Sequence, residues 1–144
     1  MKVSQKVDYA LRALVELATL CSRKEPIRSA EIADRSRVPE KFLEAILVDL
    51  RKAGLIESRR GPDGGHRLAR LPVQISLADV REAVDGPLSL APARRERPKD
   101  PTDAALRSIW GDLERDVRSA LTRITIEAIL RRAEAQREVP DFTI

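Results

Sequence analysis

Two residue types that carry much of enzyme and metal chemistry are nearly missing from this 144-residue chain, which has one cysteine, Cys21, and one histidine, His66. A single thiol forms no disulfide within the chain and cannot supply a site that needs several thiolates. No phosphate loop, metal-ligand spacing or nucleophile motif is present, so the residues point away from an enzyme. Aromatic residues are scarce at 3%. No run approaches the roughly 18 uninterrupted apolar residues of a membrane span. The opening Met1-Lys2-Val3-Ser4-Gln5-Lys6 lacks the apolar core of a signal peptide. A cytoplasmic protein with no membrane partner is expected.

Leu, Ile, Val and Ala are abundant, and 35% of residues are charged. That mixture favours amphipathic helices over a β-sandwich. The net charge of +4 permits binding to a polyanion without establishing it. Its distribution is more telling: from Arg51 to Arg70 six basic residues, Arg51, Lys52, Arg59, Arg60, Arg67 and Arg70, face only Glu57 and Asp63. At the centre of that segment Gly61, Pro62, Gly64 and Gly65 separate two short apolar-and-basic runs, Leu55 to Ser58 and His66 to Ala69. The pattern predicts a β-hairpin whose turn needs positive φ, and its flanking arginines suggest a wing.

Val3, Val7, Ala10, Leu11, Leu14, Leu17, Ala18 and Cys21 predict one apolar stripe on a helix from about Val3 to Leu20. Cys21, closing the stripe, is expected to be buried and unreactive, although a thiol exposed at a helix end would be a redox candidate. Tyr9 and Arg12 fall off the stripe's centre, facing solvent or a partner. Ser29 is the expected N-cap of a short helix over Ala30 to Arg35. After a turn at Ser36-Arg37-Val38, Pro39 opens a third helix to Lys52, with Phe42, Leu43, Ile46, Leu47 and Leu50 on its apolar face. Two helices joined by so short a turn form a helix-turn-helix candidate.

The second helix of such a unit enters the major groove by its N-terminal end, here Arg37, Pro39, Glu40, Lys41 and Glu44. Arg37 and Lys41 can meet phosphate or a guanine edge, and the carboxylates of Glu40 and Glu44 can accept from cytosine N4. The competing reading is the solvated face of an ordinary amphipathic helix.

Leu71-Pro72-Val73 closes the hairpin, and Ser76 with Asp79 forms a capping box for a short helix ending at Gly86. The expected fold is mainly α. It comprises a winged helix-turn-helix domain over residues 1–86, a proline-rich charged loop over 87–101, and C-terminal dimerisation helices with a tail over 102–144. The loop is expected to be disordered from Arg94 to Lys99. Trp110, Leu113, Val117, Ala120 and Ile124 step by three and four, a coiled-coil seam that implies a homodimer. Thr125 is a second cap, starting a short helix with Ile126, Ile129 and Leu130 that can pack back on the long one. The end beyond Pro140 is expected to fray.

Several separated pieces resemble the Rrf2 family of bacterial winged-helix transcription regulators. They are Lys6-Val7-Asp8-Tyr9-Ala10-Leu11-Arg12-Ala13-Leu14, Ile32-Ala33, Phe42-Leu43-Glu44, and Leu50-Arg51-Lys52-Ala53-Gly54-Leu55-Ile56. Ser58-Arg59-Arg60-Gly61, Gly64-Gly65, Ala83-Val84-Asp85-Gly86, Trp110 and Ile124-Thr125-Ile126 complete the set. The resemblance implies a homodimeric regulator, most often a repressor, whose long helices cross while two winged domains read a palindromic operator in double-stranded DNA. It places Pro39, Glu40, Lys41 and Glu44 in the major groove and extends Arg60, beside Arg59, toward the minor groove, where a guanidinium reads shape and potential. His66 stands where the family often has tyrosine, as a wing residue, a phosphate contact or a pH reporter.

Many members of the family hold an iron–sulfur cluster on three cysteines. Pro92, Pro98 and Ala104 occupy those positions here, and Arg107 replaces a histidine seen in some members. Proline and alanine cannot ligate iron, and arginine does not deprotonate to do so. No cofactor is therefore expected. An effector, whether a small molecule or a partner protein, has no named site. The alternative function is a protein-interaction module that lost specific DNA recognition, motivated by the missing cysteines and by acidic Glu40 and Glu44.

Overall fold

The computed structural model describes residues 2–91, 93 and 96–138. Among these, the chain order is α1 (Gln5–Thr19), α2 (Ser29–Ser36), α3 (Glu40–Lys52), β1 (Ile56–Arg59), β2 (Gly65–Leu68), a short 3-10 turn (Pro72–Gln74), α4 (Leu77–Asp85), α5 (Pro101–Arg123) and α6 (Ile126–Glu138). None of these helices is long and apolar enough to cross a membrane.

The core gathers around α1. Ser4 caps that helix by accepting from the Val7 amide at 3.1 Å, and its hydroxyl also donates to Asp85 at the end of α4. Val7, Ala10, Ala13, Leu14, Leu17 and Ala18 are buried against α2, α3, α4 and α6. The stripe is shorter than its sequence period suggests. The helix stops at Thr19, the chain turns, and Cys21 is exposed instead of buried. At the other end Val3 precedes the Ser4 cap and is 70% exposed.

Leu43, Ile46, Leu47 and Leu50 of α3 are buried, whereas Phe42, expected on the same face, is 45% exposed. Its ring lies 6.0 Å from that of Tyr9, with the Lys41 ammonium 4.9 Å from the Phe42 centroid. Tyr9 is thus half-buried against a neighbouring helix. Arg12 is exposed and paired with Asp8 one turn away at 2.8 Å.

The predicted hairpin is a two-stranded antiparallel sheet in which Ile56 faces Leu68 and Arg59 faces Gly65. Ser76 and Asp79 form the predicted capping box of α4, with bonds of 3.1 and 3.0 Å. Asp100 caps α5, and Pro101 occupies the first turn, where its missing amide costs nothing.

The C-terminal segment departs from expectation at Ile124. The residue continues the apolar period but lies just past the end of α5 in extended conformation. There the backbone clasps the segment before α4: the Leu77 amide donates to the Ile124 carbonyl at 2.8 Å, and the Ile126 amide to the Ile75 carbonyl at 2.9 Å. Thr125 does cap the next helix, accepting from the Ala128 amide. That helix, α6, packs on α1 and the 3-10 turn instead of folding back on α5. Ile126 is fully buried. The winged-helix core therefore draws in a segment from beyond residue 102, and α5 stands between two parts of one folded unit. Ile126→Ala should lower unfolding free energy by about 2–5 kcal/mol, measured by urea denaturation, because it empties a closed core position. A surface docking site would cost far less.

Candidate nucleic-acid interface

Three elements meet at one end of the molecule: the start of α2, the turn into α3, and the wing. The turn depends on Arg37, whose φ of 58° makes it the one non-glycine residue with positive φ among those described. Buried Ser36 and Val38 flank it, so the backbone is held in place from both sides while the arginine stays outside. Pro39 occupies the cap position of α3, one residue earlier than expected, and gives no side-chain hydrogen bond to the helix. The first amides of α3 are thus left for water or an anion, in the positive field of the helix end. Glu40, Lys41 and Glu44 are all exposed on that first stretch.

On the wing, Arg59 and Arg60 are exposed. The glycines beside them have steric reasons. A Cβ on Gly64 would fall 2.2 Å from the Arg59 carbonyl oxygen, and one on Gly65, at φ +148°, would fall 2.6 Å from the Ile27 carbonyl oxygen. That second contact marks a backbone junction invisible in the hairpin signature. Ile27 and His66 exchange two amide–carbonyl bonds of 2.8 and 2.7 Å, adding the segment before α2 to the edge of the wing.

His66 locks the junction with its side chain as well. Ser58 Oγ on β1 lies 2.7 Å from Nδ1, and Ser29 Oγ lies 3.0 Å from Nε2. Ser29 is consequently the first residue of α2 and not its cap, which is Arg28. Its hydroxyl is committed to the histidine. Burial pushes the His66 pKa below its usual 6.5; Glu44 opposes that shift and Arg51 adds to it.

The predicted residues are thus partly brought together. Glu40, Arg59 and His66 line one cleft with Arg28, and Arg37 and Lys41 flank it in sequence at the start of α3. Arg28, Arg37, Lys41, Arg59 and Arg60 form no ion pair among the described residues, in contrast to Arg12, Arg35, Arg118 and Arg131, each within 3.2 Å of a carboxylate. Sequence reasoning missed Arg28. It carries no motif, and only its place beside the N-terminus of α2 could have drawn notice. Cys21 lies outside this cleft.

The architecture and the cationic end define a winged helix-turn-helix, DNA-binding transcriptional regulator. The chain belongs to the Rrf2 family, whose model, described as an iron-dependent transcriptional regulator, matches residues 3–132. A Rhodobacter capsulatus rrf2-like HTH-type transcriptional regulator is 42% identical over 103 residues, covering 70% of this chain and 69% of the relative. An HTH-type transcriptional regulator from Mycobacterium tuberculosis is 37% identical over 88% of this chain and 79% of its own length. Among solved structures, CymR, the global cysteine regulator of B. subtilis, aligns with TM-score 0.73 at 30% identity, covering 92% of this chain and 98% of that one. IscR of T. potens aligns with TM-score 0.74 at 30% identity, covering 99% and 95%.

The residues at the resemblance-derived cluster positions do not fit an iron–sulfur group. The side chains of Pro98 and Ala104 carry no atom that can ligate iron, and Pro92 lies outside the described residues. Arg107 is engaged otherwise: Nη1 donates to the Glu96 carbonyl at 2.6 Å and Nη2 to Asp103 at 3.1 Å. With the Leu90 amide donating to Glu114 at 2.7 Å, these contacts strap the described part of the 87–100 loop onto α5. Glu96 and Lys99 fall in the stretch expected to be disordered and make defined contacts; Arg94 and Arg95 lie outside the described residues.

The depressed pKa of His66 has a measurable sign. Well above pH 6.5 the ring is neutral both folded and unfolded and contributes no pH dependence. As pH falls below that value the unfolded chain takes up the proton first, so stability is lost until the folded ring protonates too. A urea midpoint followed from about pH 7 to 5 should fall less in His66→Gln than in wild type.

Proposed function

We propose that this protein is a homodimeric, operator-binding repressor that reads a palindrome with two winged heads and works without an iron–sulfur cluster, in the cytoplasm. The observation carrying the dimer is α5, a 23-residue helix with no buried residue. Leu106, Ile109, Trp110 and Leu113 lie along it with 39–50% of their surface exposed. Val117 and Ala120 extend the same spacing, and half-exposed Ile124 continues it past the helix end. An apolar stripe of that length left in water is costly, and a second copy of the same helix covers it with the same periodicity.

Each head then contributes the N-terminal residues of α3 to a major groove and Arg60, beside Arg59 on the wing, to the flanking minor groove. Arg37 and Lys41 serve phosphate or guanine, and Glu40 and Glu44 restrict the bases accepted, cytosine being the one with a matching donor. Occupation of the operator is the means of repression. An effector would act on the heads' relative placement through α5.

Selection from random duplexes should enrich a palindrome, and binding to it should weaken steeply with salt as phosphate contacts release counterions. Arg60→Ala should cost about 1–3 kcal/mol on that operator. Sequence-blind binding that Arg60→Ala leaves unchanged would reject both the operator and the wing's part in reading it. Purification without oxygen, with iron and sulfide supplied, should yield a colourless protein that binds the same DNA; a brown protein with stoichiometric iron and sulfide would reject the cluster-free reading.

A further inference from the structure

Between the wing and the start of α2 lies an open cleft of about 320 Å³. Arg28 and Ser29 from the start of α2 line it together with Arg59, the wing glycines and His66, and with Glu40 of α3. Two arginines therefore line one concavity, and neither has a carboxylate partner within 4 Å among the described residues. Glu40 is the one acid among the lining residues. The shape is not adaptable: the Ile27–His66 backbone bonds and the two serine contacts of His66 hold the walls at a set distance. The cleft also stays open because Gly64 and Gly65 cannot carry a side chain without colliding with backbone.

A concave place bordered by two cations suits a compact tetrahedral anion better than the flat edge of a base pair, which is read by side chains reaching outward into a groove. We propose that this cleft seats one phosphate of the DNA backbone between Arg28 and Arg59, fixing the register of the wing against the helix-turn-helix. The inference deepens the operator-binding reading and rests on it for its partner. Arg28 becomes a DNA contact on an element that does not enter the groove. Arg59 is turned to the backbone, leaving groove readout to Arg60. Glu40, the one acid lining the cleft, keeps the site from holding a second phosphate.

The test uses the full chain and its selected operator, with single phosphates replaced in turn by neutral methylphosphonates. Wild type should lose roughly 5- to 150-fold in affinity at one position per half-site, the ordinary range of a single strong contact. Arg28→Ala should lose a similar factor on the unmodified duplex, become indifferent to neutralisation at that position, and show a salt slope lower by about 1 for each contact removed. Arg28→Lys should restore most of the slope, and Arg59→Ala should silence the same position. The proposal is overturned if Arg28→Ala keeps the wild-type sensitivity at every phosphate, or binds the unmodified operator as tightly as wild type. It is also overturned if inorganic phosphate binds in an Arg28-dependent way while no DNA phosphate does, which would assign the cleft to a free anion. Should selection enrich no sequence, the operator reading fails, while the slope of Arg28→Ala on random duplex still decides the phosphate seat.

Discussion

The pairing of Ile27 with His66 is the constraint on which the end carrying the wing and the helix-turn-helix depends. A two-stranded hairpin alone in water is marginal and would sample many angles to the body of the protein. Two short backbone bonds to the segment before α2, reinforced by a ring that meets one serine on each side, remove that freedom. The angle between wing and helix-turn-helix is thereby built into the fold. Gly65 follows from the same contact, since a Cβ there would meet the Ile27 carbonyl, while Gly64 answers to the Arg59 backbone across the hairpin turn.

The helical end has a matching device. The clasp between Ile75–Leu77 and Ile124–Ile126 joins the exit of the long helix to the entrance of α4. The ion pair of Arg118 with Glu82, at 3.0 Å, lies between the same two helices. α5 thus packs on α4, and α4 on α1, which in turn packs on α3. The strap over α5, held by Arg107 and Glu114, adds contacts on the same helix.

Local rules made much of this legible in advance. Apolar periodicity located α1, α3 and α5, the Ser76 and Asp79 pair located the start of α4, and the glycine-rich turn located the wing. Rules of that kind see only residues a few positions apart. They could not show that Ser29 would serve His66 across 37 positions, that Ile124 would leave its helix for a backbone clasp, or that Phe42 would turn from the core toward Tyr9. Cys21 failed for a related reason: the period continued past the residue where the helix had already ended. Of the residues around the cleft, Glu40, Arg59 and His66 followed from the motif. Arg28 did not, because its position only acquires meaning when the wing folds over it.

The burial of Ile126 bears on the order in which the molecule can be made. The helix-turn-helix and wing are complete in the first half of the chain, yet their core includes a residue synthesised some way later, after the proline-rich loop and all of α5. A nascent chain that has released the wing from the ribosome still lacks the plug that closes α1 against the 3-10 turn. The core under the winged head is therefore closed only once the long helix and the segment after it are also present.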